Sequence, residues 1–337
     1  MDIVSLGELL VDFFPLELGL SHAEVSGWRK APGGAPANVA VAAARLGAQS
    51  AFIGKVGDDP FGHWLIDVMA REGVDTRGMA VDPNARTTLS IMAMPDADHY
   101  HCMFDRNPGA DMMLRPEDLD KSILQGTRAF HFGSLSLTGE PARSAALAAA
   151  RIVREAGGLV SFDVNYRPTL WGNAGQAFGL VRETIPLAHM LKVNEGELAL
   201  LTGLELDFAS EGWQERVLDA AARLLELGPT LVIVTLGPNG AFFRTRAAGG
   251  YVPGFRVATV DATGCGDAFI AALLWQLVRG GRAFAAEPDG PRPSGDELLP
   301  EILRYANAVG ALTATKQGVI PSLPTAAEVE AFLLSRP

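Results

Sequence analysis

The chain has 337 residues, of which 48% are hydrophobic and 20% are charged, so it has enough apolar material for a large core and is not a disordered chain. Its formal net charge of −11 argues against a nucleic-acid or membrane partner, because both require a basic surface. It has no apolar run long enough to span a membrane, and its two cysteines form no paired motif. We therefore expect a cytoplasmic protein.

Short apolar strands alternate with alanine-rich helical stretches along the chain. A first strand over Ile3–Leu6 precedes a helix over Ala37–Leu46, and a strand over Ser50–Val56 precedes a helix that ends near Glu72. The same alternation predicts strands at Ala129–Gly133, Leu159–Asp163, Leu187–Val193 and Leu231–Thr235, and helices at Ala142–Glu155 and Glu195–Leu201. Apolar strands between helices predict a parallel sheet that is covered by helices on both faces.

Three stretches interrupt this alternation. Residues 86–105 predict two strands joined by a turn at 95–98, and residues 12–30 are also strand-like. These two stretches together predict a small antiparallel accessory sheet outside the main core. Residues 280–297 are rich in glycine, proline and charge, which predicts a surface loop.

The segment DATGCGD at 261–267 carries the strongest chemical signal and precedes a long helical stretch. Gly264, Cys265 and Gly266 then lie at a helix N-terminus, where unpaired amides and the helix dipole favour an anion. Asp267 follows in the first turn and suits a base for an attacking hydroxyl, although an Asp there also stabilises a helix start. Cys265 either has an activated thiol or fills the loop as a small residue, and we favour the second interpretation.

Two further segments follow predicted strands. Asn194 and Glu197 are hard oxygen ligands that suit Mg²⁺ beside phosphates, and Asn194 alternatively caps a helix. The loop that contains Thr235, Gly237 and Gly240 is typical of a nucleotide-side turn but is also an ordinary turn. It has neither the GK[ST] sequence of a Walker loop nor the GxGxxG pattern of a dinucleotide site.

A glycine pair near the N-terminus suits a neutral polyhydroxylated ligand. Gly33 and Gly34 permit close backbone approach, and Asn38 offers both a donor and an acceptor. Asp12, at a strand end, adds a carboxylate that grips hydroxyl groups, unless it serves a turn or a cap.

Several charged side chains remain to be assigned. Arg106 and Arg167 are candidates for holding phosphate or sugar, and a surface salt bridge is the alternative for each. His99 and His101 alternate along a predicted strand, but no third metal ligand accompanies them, so a polar strand face is favoured over a metal pair.

In this order the segments resemble the ribokinase/PfkB family of sugar kinases. The similarity runs from GELLVDF through GGAPANVA and GKVGDDPFG to QGVIPSLP, and FDRNPGADMML, SFDVNYRPTLW and KVNEGELALLTG resemble its fructokinase branch. It implies a ribokinase-like, Rossmann-like α/β/α sandwich formed as a single domain over 1–337, with a small β-sheet lid from about 12–30 and 86–110. It also implies transfer of the ATP γ-phosphoryl group to the 6-hydroxyl of D-fructose.

The resemblance carries roles onto matching residues. Asp267 matches the general base, and Gly264, Cys265 and Gly266 match the anion hole. Sugar-binding positions are implied at Asp12, Gly33, Gly34 and Asn38, with Arg106 and Arg167 as further substrate candidates. Nucleotide and Mg²⁺ positions are implied at Asn194, Glu197, Thr235, Gly237, Gly240 and Asn307. A monovalent cation such as K⁺ is implied at Asp261, Thr263, Gly318 and Ser322. Ala262 replaces the family's usual Thr or Ser, which predicts weaker K⁺ binding, and Cys265 replaces an alanine.

Two other functions remain open. A kinase of the same fold acts on 2-keto-3-deoxygluconate, ribose or a nucleoside in the first alternative. In the second, the protein is a catalytically silent sugar-binding regulator. Because a small open sheet leaves an edge and an apolar face, the lid also predicts a homodimer.

Overall fold

The computed structural model describes residues 1–93, 101–205, 207, 210–280 and 296–336. The predicted turn at 95–98, His99 and most of the predicted loop at 280–297 lie outside these residues. The described strands are β1 (Ile3–Leu6), β2 (Leu10–Pro15), β3 (Trp28–Gly33), β4 (Ser50–Gly57), β5 (Asp75–Asp82), β6 (Leu89–Ala93), β7 (His101–Asp105), β8 (Ala129–Gly133), β9 (Leu159–Asp163), β10 (Met190–Asn194), β11 (Leu231–Thr235), β12 (Gly240–Arg244) and β13 (Gly249–Pro253).

The helices alternate with these strands. They are α1 (Ala35–Arg45), α2 (Pro60–Arg71), α3 (Lys121–Gln125), α4 (Ala142–Glu155), α5 (Ala174–Thr184), α6 (Glu195–Thr202), α7 (Trp213–Leu225), α8 (Cys265–Arg279), α9 (Leu299–Thr313), α10 (Val319–Ser322) and α11 (Ala326–Leu334). Across the described residues, none of the helices combines the length and the apolar composition that a membrane span requires.

Most predicted elements have the predicted positions, and β1, β8, β9, β11 and α4 also have the predicted bounds. The strand predicted at Leu187–Val193 is wrong at its start, because Ile185–Leu187 form a short 3₁₀ helix around Pro186 and β10 begins only at Met190. Proline has no amide to donate to a strand partner, which favours the turn.

The larger sheet has the order β13-β12-β11-β10-β9-β8-β1-β4-β5 among the described residues. Every pairing from β5 to β11 is parallel, which confirms the predicted parallel sheet. β11 pairs with β12, and β12 with β13, in antiparallel fashion. Only a tight turn at Gly237–Asn239 separates β11 from β12. A connection this short cannot return the chain for a parallel pairing.

The larger sheet divides the core into two layers. On one face, strand residues such as Ile3 and Ile233 pack with apolar residues of α1, α2, α8, α9 and α11. On the other face, Val4, Val232 and Val234 pack with apolar residues of α3 to α7. The predicted three-layer α/β/α sandwich is therefore confirmed.

The smaller sheet has the order β3-β2-β6-β7. The predicted accessory sheet is confirmed, but it is not wholly antiparallel, because β2 and β6 pair in parallel with Val11 opposite Leu89. Trp28 reaches across β2, and its indole N–H donates to the carbonyl of Met92 at 2.9 Å. This bond ties β3 to β6 as well as to its strand neighbour.

The smaller sheet begins at the carboxyl edge of the larger one. β1 ends at Leu6, and β2 starts at Leu10 in the second sheet. β9 and β10 end at the same edge with Asp163 and Asn194. Ligands of α/β proteins bind beyond the carboxyl ends of such strands. The candidate residues are therefore expected in the cleft between this edge and the smaller sheet.

Gly34 and Gly47 form a matched pair for testing the join between the two sheets. Both have a left-handed backbone, with φ of +111° and +98°. A Cβ on Gly34 would overlap the carbonyl oxygen of Glu8, whereas a Cβ on Gly47 would meet nothing within 4 Å. Gly47→Ala should therefore cost about 1–2 kcal/mol from backbone strain alone, and Gly34→Ala should cost about 3 kcal/mol or more. Urea unfolding measures both changes, and equal losses would contradict this account.

Candidate active site

The N-terminus of α8 forms a tight loop that only glycine permits. Gly264 has φ +79°, and a Cβ there would overlap the side chain of Val319. The amide of Cys265 donates to the carbonyl of Ala262 at 3.3 Å, whereas the amides of Gly266 and Asp267 have no acceptor among the described residues. Of the three predicted anion-site residues, Gly264 and Gly266 have amides without an acceptor among the described residues, and only the amide of Cys265 is bonded.

Asp267 is held by a residue far away in sequence. The side-chain amide of Asn38, on α1, donates to Asp267 Oδ2 at 2.8 Å. The other end of the Asn38 side chain, Oδ1, is buried and has no hydrogen-bond partner, so it is free to accept from a ligand. Burial raises the pKa of Asp267 to about 6, while the bond from Asn38 and the charges of Lys192 and Arg167 oppose the rise.

Asp12 lies across the same cleft, buried on β2. A Cβ on Gly33 would overlap its carboxylate, so this glycine lets the carboxylate lie against the backbone. Burial raises the pKa of Asp12 to about 7, a hydrogen bond from Ser90 opposes the rise, and the charge of Asp267 adds to it. The structure therefore brings Asp12, Gly33, Asn38 and Asp267 together.

The two candidate arginines have different surroundings. Arg167 is half-buried, and its charge acts on both Asp12 and Asp267, so it faces the cleft. Arg106 instead pairs with Asp111 at 2.6 Å and donates to the Thr138 hydroxyl at 2.9 Å. The side chain of Arg106 is 4% exposed, so a surface salt bridge is the wrong description for this residue. It lines a cavity of about 430 Å³ beside the smaller sheet.

Asn194 and Glu197 close the end of β10 by a reciprocal cap. The Asn194 side chain accepts from the Glu197 amide at 2.9 Å, and the Glu197 carboxylate accepts from the amides of Asn194 and Tyr166 at 2.9 and 2.8 Å. The capping interpretation is therefore confirmed. Each carboxylate oxygen of Glu197 keeps a lone pair, so the donor set suits a hydrated Mg²⁺. The described part of the chain contains no cluster of three His, Cys, Asp or Glu side chains arranged to hold a metal directly.

Two buried charges in the cleft were not assigned from the sequence. Lys192 Nζ lies 3.1 Å from Asp163 Oδ1, and the charge of Lys192 acts on Asp267. Burial opposes a charged lysine, but neighbouring carboxylates, Asp163 first, raise the pKa of Lys192 above its ordinary value. A lysine in the middle of the apolar strand MLKVN, after a strand that ends in aspartate, is the sequence signal that would have found this pair.

The predicted nucleotide residues surround one end of the larger sheet. Thr235 ends β11, Gly237 has φ +52°, and Gly240 has φ +105° with its Cα against the carbonyl of Val252. The side-chain amide of Asn307 donates to that same carbonyl at 3.1 Å. The loop after β11 and helix α9 therefore meet at β13.

Asp261 organises the loop before α8. Its Oδ1 accepts from the Thr263 amide at 2.9 Å, and its Oδ2 accepts from the Gly318 amide at 3.0 Å. Ser322, in the turn after Gly318, donates its hydroxyl to Val319 at 2.7 Å. The structure thus joins Asp261, Thr263 and Gly318 directly, and Ser322 bonds elsewhere.

The surroundings of Cys265 and His101 bear on the roles predicted for these two side chains. Burial and the charges of Asp261 and Asp267 raise the pKa of the Cys265 thiol to about 12, which disfavours an activated thiol and supports the small-residue interpretation. His101 is exposed on β7, as a polar strand face predicts.

Known proteins of similar sequence and structure include several fructokinases. A probable fructokinase-2 of Arabidopsis thaliana is 42% identical over 334 residues, which cover 98% of this chain and 95% of the relative. A crystal structure of fructokinase from Xylella fastidiosa with bound ATP has a TM-score of 0.84 at 31% identity, covering 99% of this chain and 98% of that one. A fructokinase from Vibrio cholerae O395, with fructose, ADP and calcium bound, has a TM-score of 0.82 at 34% identity and 99% coverage of both chains.

The family description "pfkB family carbohydrate kinase" matches residues 1–326. It spans both sheets, the loop at the start of α8 and the Asp267–Asn38 contact. The family and the ribokinase-like fold expected from the sequence are therefore confirmed, and this chain belongs to the pfkB family of carbohydrate kinases.

Proposed function

We propose that this protein is an ATP-dependent fructokinase that transfers the γ-phosphoryl group of ATP to the 6-hydroxyl of D-fructose. The observation that carries the proposal is the contact between Asn38 and Asp267, which ties a carboxylate of raised pKa to an amide whose carbonyl oxygen is free. One side chain thus orients the base and accepts from the sugar. The names of the similar proteins, with fructose or ATP bound in solved structures, support the same acceptor and donor.

The sugar lies between the two sheets in this proposal. Asp12 and Asn38 accept hydrogen bonds from its hydroxyl groups, Gly33 and Gly34 admit it close to the backbone, and Arg167 faces it across the cleft. The Asp267 carboxylate accepts the proton of the attacking hydroxyl as that oxygen bonds to the γ-phosphorus and the bond to the leaving ADP breaks. The amide of Gly266 and the dipole of α8 stabilise negative charge on the transferred group.

The donor side of the site uses the opposite end of the cleft. Thr235, Gly237, Gly240 and Asn307 surround the nucleotide. Asn194 and Glu197 are the residues that would hold Mg²⁺, which would neutralise phosphate charge when bound. Asp261, Thr263, Gly318 and Ser322 form the proposed K⁺ site. The carboxylate and hydroxyl oxygens of this set suit a hard cation, but both Asp261 oxygens already accept amides.

The smaller sheet is the proposed lid of a single ribokinase-like domain over 1–337. Its strands fall within or next to 12–30 and 86–110, and its closure excludes water from the phosphoryl group. Leu16 and Met103, on its strands and turns, are 63% and 53% exposed, so a second copy of the sheet has apolar surface to cover. We therefore propose a cytoplasmic homodimer that pairs through the lids.

A substrate panel tests the proposed function. ADP release should be measured with Mg-ATP, with and without K⁺, against fructose, ribose, 2-keto-3-deoxygluconate and adenosine. Turnover on fructose at least about tenfold above the other acceptors is expected, since a polar site rejects an acceptor that leaves its buried groups unpaired. Preference for another acceptor would replace the substrate assignment, and ATP binding without turnover on any acceptor would favour the silent regulator.

Asp267→Asn tests the base. The amide cannot accept the proton, so kcat should fall by about 10²- to 10⁴-fold, whereas the Kd for fructose should change little. Asp219→Asn, at an exposed position on α7, is the control and should retain full activity. Isothermal titration and steady-state rates measure the two quantities, and wild-type kcat in Asp267→Asn would remove this residue from the role.

The raised pKa of Asp267 predicts the acid limb of the pH profile. The base works only when deprotonated, so kcat/KM for fructose should fall as the pH drops through about 6, not through about 4 as for an ordinary aspartate. The charge of Asp163 adds to the raised pKa of Asp267, so Asp163→Asn should move the limb to lower pH in the residual activity. A wild-type limb below pH 5 would contradict the assigned environment.

A further inference from the structure

We propose that Lys192 is a further catalytic residue, whose ammonium group contacts the transferred γ-phosphoryl group while Asp163 holds it in place. This inference rests on the proposed function, because it assigns a new contact within the same phosphoryl-transfer site. Four observations carry it: the direction of the side chain, its distance to the α8 loop, its lack of acceptors, and the contrast with a second buried lysine.

The direction follows from strand alternation. Leu191 and Val193 pack into the core layer of α3 to α7, and Met190 packs into the layer that contains α8. Lys192 therefore points to the α8 side of the sheet, since side chains alternate along a strand. Asp163 is its paired residue on β9 and lies on the same face.

The distances place the ammonium beside the anion loop. Lys192 Nζ lies 3.1 Å from Asp163 Oδ1 and 3.2 Å from Asp163 Oδ2. On its other side, a Cβ added to Gly266 would lie 3.7 Å from Nζ. The ammonium thus sits between a fixed carboxylate and the first turn of α8, where Asp267 follows one residue later.

Hydrogen-bond donors outnumber acceptors between Lys192 and the first turn of α8. Asp163 is the sole acceptor for the three N–H bonds of Lys192 among the described residues, although the side chain is only 7% exposed. The amides of Gly266 and Asp267 also lack acceptors in the described ranges. Buried donors are normally paired, so a buried ammonium with only one carboxylate partner, beside two half-buried amides without acceptors, indicates a bound anion with several oxygens. The transferred phosphoryl group has that chemistry.

A second buried lysine shows what a purely structural pair looks like. The side chain of Lys55, on β4, is also buried, with 9% of its surface exposed. Its ammonium lies 2.6 Å from Asp118 and 3.9 Å from Asp82, and it donates to the carbonyl of Met113 at 3.0 Å. The ammonium of Lys55 thus lies within hydrogen-bond distance of two separate groups and near a second carboxylate, whereas Lys192 contacts one carboxylate. Lys55 is the matched control for loss of a buried lysine.

Comparison of ATP with ADP separates the proposed contact from a structural role. Lys192→Met should weaken Mg-ATP binding by about 10-fold or more, the usual worth of a charge-assisted hydrogen bond, and should change the Kd of Mg-ADP by less than about 2-fold. kcat should fall by about 10²- to 10³-fold with little change in KM for fructose. Lys55→Met should lower the Tm and leave the ratio of the ATP and ADP Kd values unchanged.

Two further variants complete the test. Asp163→Asn should shift the ATP-to-ADP ratio in the same direction but less, because it loosens the lysine without removing it. Lys192→Gln keeps the length and polarity of the side chain and serves if the methionine variant fails to fold. Equal losses for ATP and ADP, or no loss for either, in the folded Lys192 variants would overturn the proposal.

The binding measurements need no sugar acceptor, so they are independent of the substrate assignment. If wild-type protein does not phosphorylate fructose but the Lys192 variants lose ATP preference, the fructokinase proposal fails and the lysine contact stands. If fructose is phosphorylated and the ATP preference of the variants is normal, the lysine proposal alone is overturned.

Discussion

Burial of several carboxylates at one sheet edge is the constraint on which the site depends. Asp12, Asp163, Glu197 and Asp267 are close enough for their charges to act on one another, and each ionised group loses hydration. Such burial costs several kcal/mol per ion unless charges and hydrogen bonds compensate. Lys192 neutralises part of the set, and backbone amides bind Glu197. The burial that remains uncompensated raises the pKa of both Asp12 and Asp267, and the raised pKa of Asp267 suits a base that works near neutral pH.

The topology explains how these groups meet. Asn38 and Asp267 are 229 positions apart, yet α1 and α8 lie in the same helical layer, so their N-terminal turns face one cleft. Glu8 secures the start of α1, because its Oε1 accepts from the Ala35 amide at 3.0 Å. Glu8 itself lies in the turn between β1 and β2, which joins the two sheets. Gly33, Gly34 and Asp267, the residues proposed for sugar binding and catalysis, are therefore positioned by one continuous set of contacts.

Sequence reasoning recovered the parts in which local pattern decides structure. β9 and β11 are buried apolar runs with clear ends, and α4 has a strong apolar face, so their bounds followed from composition. β5 was not predicted, because Asp75, Arg77 and Gly78 interrupt the apolar pattern of its sequence. A strand at the edge of a sheet tolerates such residues. β12 and β13 carry glycines at their ends and read as turns. The site residues on recognisable loops were named, whereas Lys192 and Asp163 lie within strands, and the pairing of β9 with β10 places them side by side.

The construction of the smaller sheet has a consequence for exchange of parts between related kinases. Its strands come from two separate excursions of the chain, 10–33 and 89–105, and the parallel register of β2 with β6 joins them. Neither excursion has a complete set of strand partners without the other. A chimera that imports one excursion alone would inherit a mismatched seam at Val11 and Leu89, so recombination, natural or engineered, must move both pieces together. The smaller sheet is thus one unit in space but two separate segments of the sequence.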